Sequence, residues 1–336
     1  MKNLANLLML SALACLPTPA GLGTEKKWSG VSFIDYHGYS RCPVLSNPTT
    51  RVVLGPDCGG RVLEYSINGT NALQLDPNQA GWVAAPDKPQ IDPWGGRFDI
   101  GPENVIPRHP NLWCGPWQSK IIGPRKARLT SLPDPATGVQ LVREFELAAD
   151  SSRLHCTQTI KNISDATKNW CHWSRTFGEG GGICVVPLNP ESRFPAKFIS
   201  YGPGDVMNYR PQKDPCLTVE SGCLVISGPP QFAKLGMDSY DGWLSYLTRK
   251  NILFIKRFPV YPERVYNEMA GLTVSICYQK DRFCEIEPIG PKETIRPGES
   301  ASYTEEWELF PFEYPQDGQI DVAKVKAMAG KRSDMR

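Results

Sequence analysis

Between Val139 and Lys161 the chain alternates apolar and polar residues twice over. In GVQLVREFELA, Val139, Leu141, Phe145 and Leu147 share one side, with Gln140, Glu144 and Glu146 opposite. In RLHCTQTIK, Leu154, Cys156 and Ile160 face away from His155, Thr157, Thr159 and Lys161. A period of two marks a half-buried strand, so the two runs predict a hairpin turning through Ala149-Asp150-Ser151-Ser152. The later runs CLVISG, ILFIKRF, LTVSICYQ, FCEIEPI and ASYTEEWELF have similar lengths and similar Gly, Pro, Asn and Asp punctuation. Only IDVAKVKAMAGKR has helix character, with Asp321 near its start and Val322, Val325 and Ala329 on one side. The pattern predicts a mostly β protein, an antiparallel two-sheet sandwich with a short C-terminal helix.

Composition narrows this. The 31 prolines and 30 glycines are spread along the 336 residues, which supplies turns for many strands rather than one disordered linker. No repeat of fixed period is present, which removes the main support for a propeller or solenoid. The 37 basic and 35 acidic residues leave a net charge of +2 and no electrostatic footprint for nucleic acid. A neutral or small partner is expected.

The first residues carry Lys2, an apolar run from Leu4 to Leu16 and then small residues, the layout of a secretory signal peptide. Residues 1–23 are expected to be removed, leaving 24–336 as one domain, periplasmic or secreted; lipid anchoring through Cys15 is the lesser alternative. No later stretch approaches about 20 uninterrupted apolar residues, so no membrane span is expected. Ten cysteines follow the leader without CxxC spacing or a compact His/Cys set, which argues against zinc. Most are expected to be small buried hydrophobes, with room for one or two disulfides of unassigned pairing. No metal or cofactor is implied.

Four stretches could carry chemistry. In FCEIEPIGP, a strand would point Cys284 and Ile286 one way and Phe283, Glu285 and Glu287 the other. Two carboxylates within about 7 Å on one face raise at least one pKa unless a cation intervenes, a shift that general-base chemistry near neutral pH can use. A solvated strand face is the plainer alternative, and spacing alone favours it. The second stretch, Asn162 to Thr176, is a polar turn and then a strand with Trp170, His172, Ser174 and Thr176 on one face and Cys171, Trp173 and Phe177 on the other; Arg175 follows on that second face. If the second face is core, His172 projects from the opposite side as a proton donor, although a lone strand histidine is more often structural. The third, Asp92 to Trp117, gathers Trp94, Arg97, Glu103, His109, Trp113 and Trp117 in a loop-rich segment. Aromatic faces beside Arg, Glu and His suit a sugar ring, and plugging the end of the sandwich explains the tryptophans about as well. The fourth, Tyr261 to Gly271, would bring Asn267 and Glu268 to the same cleft, while Arg264 is expected to pair with Glu263 or Glu268.

These pieces, in this order, resemble the galactose mutarotase (aldose 1-epimerase) superfamily, particularly its secreted bacterial relatives. The resemblance is carried by GGRVLEYSINGTNAL (Gly59 to Leu73), the Trp94-Gly-Gly-Arg97 loop, Asn162 to Thr176, and CEIEPIGP (Cys284 to Pro291) continuing into RPGESASYTEEWEL (Arg296 to Leu309). It implies a β-supersandwich with a sugar-sized cleft on one sheet. In catalytic members a glutamate takes the anomeric hydroxyl proton while a histidine protonates the ring oxygen, so that the sugar opens and recloses on either face. By resemblance Glu287 holds the glutamate position, His172 the histidine position, and Glu285 is the substitute base. Arg97 and His109 would hold the ring, with Trp94, Glu103, Trp113, Arg175, Asn267 and Glu268 around it. The chain departs from the family pattern in reading Pro107-Arg-His-Pro110 instead of an HGG tract and C-H-W-S-R-T around His172.

The expected function is therefore carbohydrate binding with ring-opening mutarotation or epimerisation. The alternative is a non-catalytic glycan-binding module with Trp94, Trp113 and Trp117 as its platform. A hydrolase or lyase ranks last, because two acids on one strand do not flank a glycosidic bond.

Overall fold

The computed structural model describes residues 28–203 and 206–330, so the leader expected over 1–23 lies outside the described residues. Val139–Leu147 and Leu154–Asn162 form the predicted hairpin, with Leu147 opposite Leu154, Phe145 opposite Cys156 and Leu141 opposite Ile160. The alternation has one polar interruption, Arg143 opposite Gln158, and both are fully buried. Arg143 Nη1 donates to the carbonyls of Gly60 (3.0 Å) and Gly96 (2.8 Å), which ties this hairpin to the other sheet.

The hairpin belongs to a ten-stranded antiparallel sheet. Its long strand Ser300–Pro311 lies between Leu154–Asn162 and Ile252–Arg257. Against it packs a thirteen-stranded sheet centred on Lys168–Glu179. That strand bonds Gly96–Gly101 on one side and Phe283–Pro288 on the other, followed by Val274–Gln279 and Lys234–Met237. Tyr65, Phe254 and Trp307 meet between the sheets, with Phe254 edge-on to both Tyr65 (5.6 Å) and Trp307 (5.3 Å).

The central strands of the larger sheet are buried on both faces. Cys171 to Gly178 are buried without a break, as are all six residues of Phe283–Pro288. One face meets the second sheet; the other is covered by loops that bring Phe194 and Leu272 onto Cys171, Trp173 and Ile289. Tandem glycines start the neighbouring strand: Gly95 has φ +108°, and a Cβ on Gly96 would stand 2.7 Å from the Trp307 ring. Arg97 is thereby delivered to the outer face close against the core.

The terminal helix is Val322–Ala329, and the Asp321 side chain accepts from the Lys324 N–H at 2.9 Å. A cap of this kind contributes about 1 kcal/mol. Val322, Val325 and Ala329 are buried with Trp243, Leu253, Ile255 and Phe312 on the outside of the smaller sheet. Arg257 donates to the carbonyls of Ala329 (2.8 Å) and Met328 (2.9 Å), pairing acceptors of the last turn. All ten described cysteines are free thiols, eight of them buried, so the room left for disulfides is unused. Among the described residues no helix is long and apolar enough to cross a membrane.

Candidate functional site

Directly opposed residues of an antiparallel pair point to the same face, so the register places the site. Arg175 lies opposite Arg97 and Trp173 opposite Asp99. Phe177 lies opposite Glu285 on the other side. Glu287 is then opposite Ser275, Glu285 opposite Cys277, and Cys277 opposite Lys234. Arg97, Asp99, Trp173, Arg175, Glu285, Glu287 and Lys234 therefore share the outer face.

The cations interleave with aromatic rings. The Arg97 guanidinium is 3.7 Å from the Trp113 ring, and Arg175 is 5.3 Å from Trp113 and 4.2 Å from Trp173. Lys234 continues the series, 5.4 Å from Trp173 and 5.1 Å from Tyr201. Each contact holds a positive charge over the negative face of a ring, which matters most where water is excluded. Trp94 lies at one end, stacked on Phe177 at 5.8 Å and edge-on to Phe283 at 5.0 Å, so it is packing rather than a free platform. Trp117 belongs to the core between the sheets and takes no part in the site.

Carboxylates thread through this ladder. Asp92 pairs with Arg97 at 2.6 Å, and Glu103 bridges Arg175 (3.2 Å) and Lys234. Trp173 Nε1 donates to Glu287 at 2.6 Å, while Glu285 approaches Arg97 only to 3.7 Å. Burial, then the charge of Glu287, pushes the Glu285 pKa up to about 8, with Arg175 and Arg97 opposing. Burial also raises Glu287 against the pull of Arg175 and Lys234. Glu268 accepts from the Glu103 N–H at 2.8 Å and is likewise raised by burial. A Cβ at Gly101 would stand 2.9 Å from both Cys171 Sγ and Glu268 Oε2, so a side chain there would displace the Glu268 carboxylate.

His109 has Nε2 2.9 Å from Asp99 and Nδ1 2.7 Å from the Pro107 carbonyl. Both ring nitrogens face acceptors, an arrangement that favours the imidazolium. Burial works against the charge, but the Asp99 carboxylate and the carbonyl outweigh it and raise the pKa.

His172 is not in the site. It lies on the face turned to the second sheet, fully buried and stacked between Phe98 (5.7 Å) and Tyr303 (5.5 Å). Its Nε2–H donates to the Ala301 carbonyl at 3.1 Å, and burial lowers its pKa to about 4. The assignment of His172 as proton donor is corrected: a neutral core histidine cannot reach a ligand on the side of Glu287. Arg264 is corrected too, since it pairs with Glu293 at 2.7 Å rather than with Glu263 or Glu268. Asn267 lies next to Glu268, and its Oδ1 has no protein partner.

Sequence reasoning missed Asp99, Lys234, Tyr201 and Asp92. The signal for Asp99 was present: Arg97-Phe-Asp99 places charges at alternate positions of a strand, as Glu285-Ile-Glu287 does. Lys234 and Tyr201 sit in short strands with no such repeat.

The face also has unused hydrogen-bonding capacity. Arg97 Nε and Nη1, Arg175 Nε and Glu285 Oε1 are buried with no hydrogen-bond partner in the protein. Access is narrow, for Glu287 is 1% and Glu285 6% exposed. A groove of about 930 Å³ lies elsewhere, lined by Phe33, Arg41, Asp57, Trp117 and Lys120, and none of the converging charges borders it. Chemistry rather than volume therefore locates the site. Among the described residues no group of three His, Cys, Asp or Glu side chains is set to hold a metal ion.

No family model matches the sequence, and no curated protein matches it. Solved structures do match. A provisionally assigned aldose 1-epimerase from Escherichia coli K12 superposes with a TM-score of 0.56 at 11% identity, over 80% of this chain and 98% of its own. A galactose mutarotase-like protein from Lactobacillus casei gives 0.54 at 10% identity, over 80% and 99%. Another from Clostridium acetobutylicum gives 0.52 at 12% identity, over 84% and 98%. With two large antiparallel sheets, a short terminal helix and these near-complete superpositions, the chain has the galactose mutarotase-like fold.

Proposed function

We propose that the protein binds carbohydrate on the outer face of its larger sheet and opens the ring of a reducing sugar through the Glu285–Glu287 pair. The observation that carries this is the pair itself: two buried carboxyls on one strand face, both shifted upward, beside stacked cations with free hydrogen-bond donors.

At neutral pH the pair holds a proton on Glu285, whose pKa of about 8 makes it the acid; burial raises Glu287 as well, and Arg175 and Lys234 favour the charged form that its role as base needs. Glu287 takes the proton of the anomeric hydroxyl while Glu285 gives its own to the ring oxygen. The C1–O5 bond breaks and the carbonyl forms. After rotation about C1–C2 the transfers reverse, closing the ring on either face and restoring both carboxyls. The acid role first given to His172 thus passes to Glu285. Arg97, Arg175 and Asn267 offer free polar atoms for hydroxyls, and Trp113 an aromatic surface.

The low exposure of both acids favours a second reading, a glycan-binding module without chemistry. Saturation-transfer NMR of anomeric exchange across a panel of reducing sugars separates the two. The enzyme reading expects acceleration that Glu287→Gln lowers about a hundredfold or more. Binding without acceleration rejects catalysis and leaves the module. The Lys2 and Leu4–Leu16 pattern supports an exported chain, periplasmic or secreted, which N-terminal sequencing of the mature protein tests.

A further inference from the structure

We infer that the ligand is an acidic sugar, a hexuronate, whose carboxylate takes the Arg175–Lys234 receptor now filled by the side chain of Glu103. This rests on the carbohydrate reading above and adds the class of sugar.

Glu103 joins cations from two different strands. Its Oε1 meets Arg175 Nη2 at 3.2 Å and its Oε2 meets Lys234 Nζ. Arg175 is held between the Trp113 and Trp173 rings and Lys234 between Trp173 and Tyr201, so both heads are oriented before any ligand arrives. A guanidinium and an ammonium converging on one carboxylate form a carboxylate receptor, and charge-assisted bonds of this kind are roughly twice as strong as neutral ones.

The occupant is replaceable. Asp99, Glu285 and Glu287 lie on strands and are almost fully buried, and Glu268 is 1% exposed. Glu103 instead follows the end of Gly96–Gly101, and its side chain is 37% exposed. Asn104 and Val105 beside it face solvent. Rotation about its own side-chain bonds carries the carboxylate into water without moving a strand. Asp92 guards Arg97 in a similar way but holds a single cation.

A neutral sugar that replaced Glu103 would take a carboxylate away from buried Arg175 and half-buried Lys234 and leave Glu287 to balance both. A uronate brings its own carboxylate and leaves the charge balance unchanged. Arg175 retains an unpartnered, nine-tenths buried Nε to complete the contact. Arg175 and Lys234 are also the cations that oppose the upward shift of Glu287, so receptor and acid pair adjoin. Lys234 stands two strands from Glu285, roughly 10 Å along the hydrogen-bonding direction, with Cys277 between them. The two side chains must therefore lean toward each other over that strand to meet the carboxylate and the neighbouring ring oxygen of one uronate.

The test is calorimetric titration of the whole protein with D-galacturonate, D-galactose, D-glucuronate, D-glucose and a hexose phosphate, at low and at high salt. The wild type is expected to bind at least one uronate about tenfold more tightly than its neutral counterpart, with salt weakening only the uronate. Glu103→Gln removes the internal competitor and is expected to widen that ratio by about another tenfold. A ratio near one in wild type and variant, with neutral sugars still bound, overturns the uronate assignment and leaves the carbohydrate reading standing. Preference for the hexose phosphate over both uronates overturns the carboxylate commitment. If none of the five binds, both the inference and the carbohydrate reading fail. The wild-type ratio decides even if Glu103→Gln does not fold.

Discussion

Lys168–Glu179 has a buried charge cluster on each face, and the two are built differently. On the inner face Lys256, fully buried, bonds Glu305 (3.1 Å), Ser174 (2.9 Å) and Thr176 (3.1 Å), so all three ammonium protons have partners. Glu305 also accepts from Gln158 (2.9 Å) and Trp307 (2.8 Å). On the outer face Arg97, Arg175 and Glu285 have polar atoms without a hydrogen-bond partner, Glu285 Oε1 reaching Arg97 only at 3.7 Å. The inner face is not fully saturated either, since Gln158 Oε1 and Arg143 Nε and Nη2 lack partners, so the difference lies in the Lys256–Glu305 pair itself, whose contacts are complete. A polar pair with complete contacts fixes structure, whereas unpaired atoms among converging charges leave hydrogen-bonding capacity that a ligand could use.

The comparison breaks most sharply on stability. Lys256→Met strands the Glu305 charge in the core and is expected to cost about 3–5 kcal/mol in urea denaturation. Arg97→Met is expected to cost no more than about 1 kcal/mol, because half-exposed Asp92 can rehydrate and Glu285 is already neutral at pH 7. Equal losses would show that the outer cluster is structural as well.

A smaller effect comes from pH. The folded pKa of Glu285, about 8, lies above its ordinary 4.5, so the folded state holds the extra proton between those values. Its contribution to stability is complete below about 4.5 and is lost as pH rises through about 8. Glu285→Gln is expected to flatten this slope, as followed by thermal melts from pH 4.5 to 9. Anomeric exchange in the wild type should fall over the alkaline part of the same window, as the acid loses its proton.

The smallest effect belongs to His172→Phe. Exchange is expected to stay within about twofold, since the ring lies across the sheet from the acids and stacking on Phe98 and Tyr303 is retained. With a folded pKa near 4 against an ordinary 6.5, His172 withdraws stability as pH falls from about 6.5 to about 4, and the phenylalanine should abolish that acid limb. A large loss of exchange with folding intact would return His172 to the chemistry.

Much of the frame was legible in sequence, because the outer strands of the hairpin show one apolar and one polar side. The terminal helix was legible for the same reason, its Asp321 cap and its three buried residues standing at helical spacing. Parity also sorted His172, Ser174 and Thr176 from Cys171, Trp173 and Phe177. It could not say which set faces the second sheet, since Cys171 to Gly178 are buried on both sides. Pairing Glu285 with Glu287 needed only the alternation of one strand. Finding Lys234 needed register across two more strands, and a single sequence does not contain it.

That register has a kinetic consequence. The contacts that assemble the outer face are distant in sequence: Arg175 and Glu103 lie 72 residues apart, Trp173 and Glu287 114, and Lys234 and Glu103 131. Each demands closure of a long loop before any local reward, and such pairings form slowly. Among the described residues Gly96–Gly101, Lys168–Glu179 and Phe283–Pro288, which pair side by side, are not joined to one another by a hairpin turn. During refolding, ligand binding should therefore recover after secondary structure, making it a late reporter of the native sheet order.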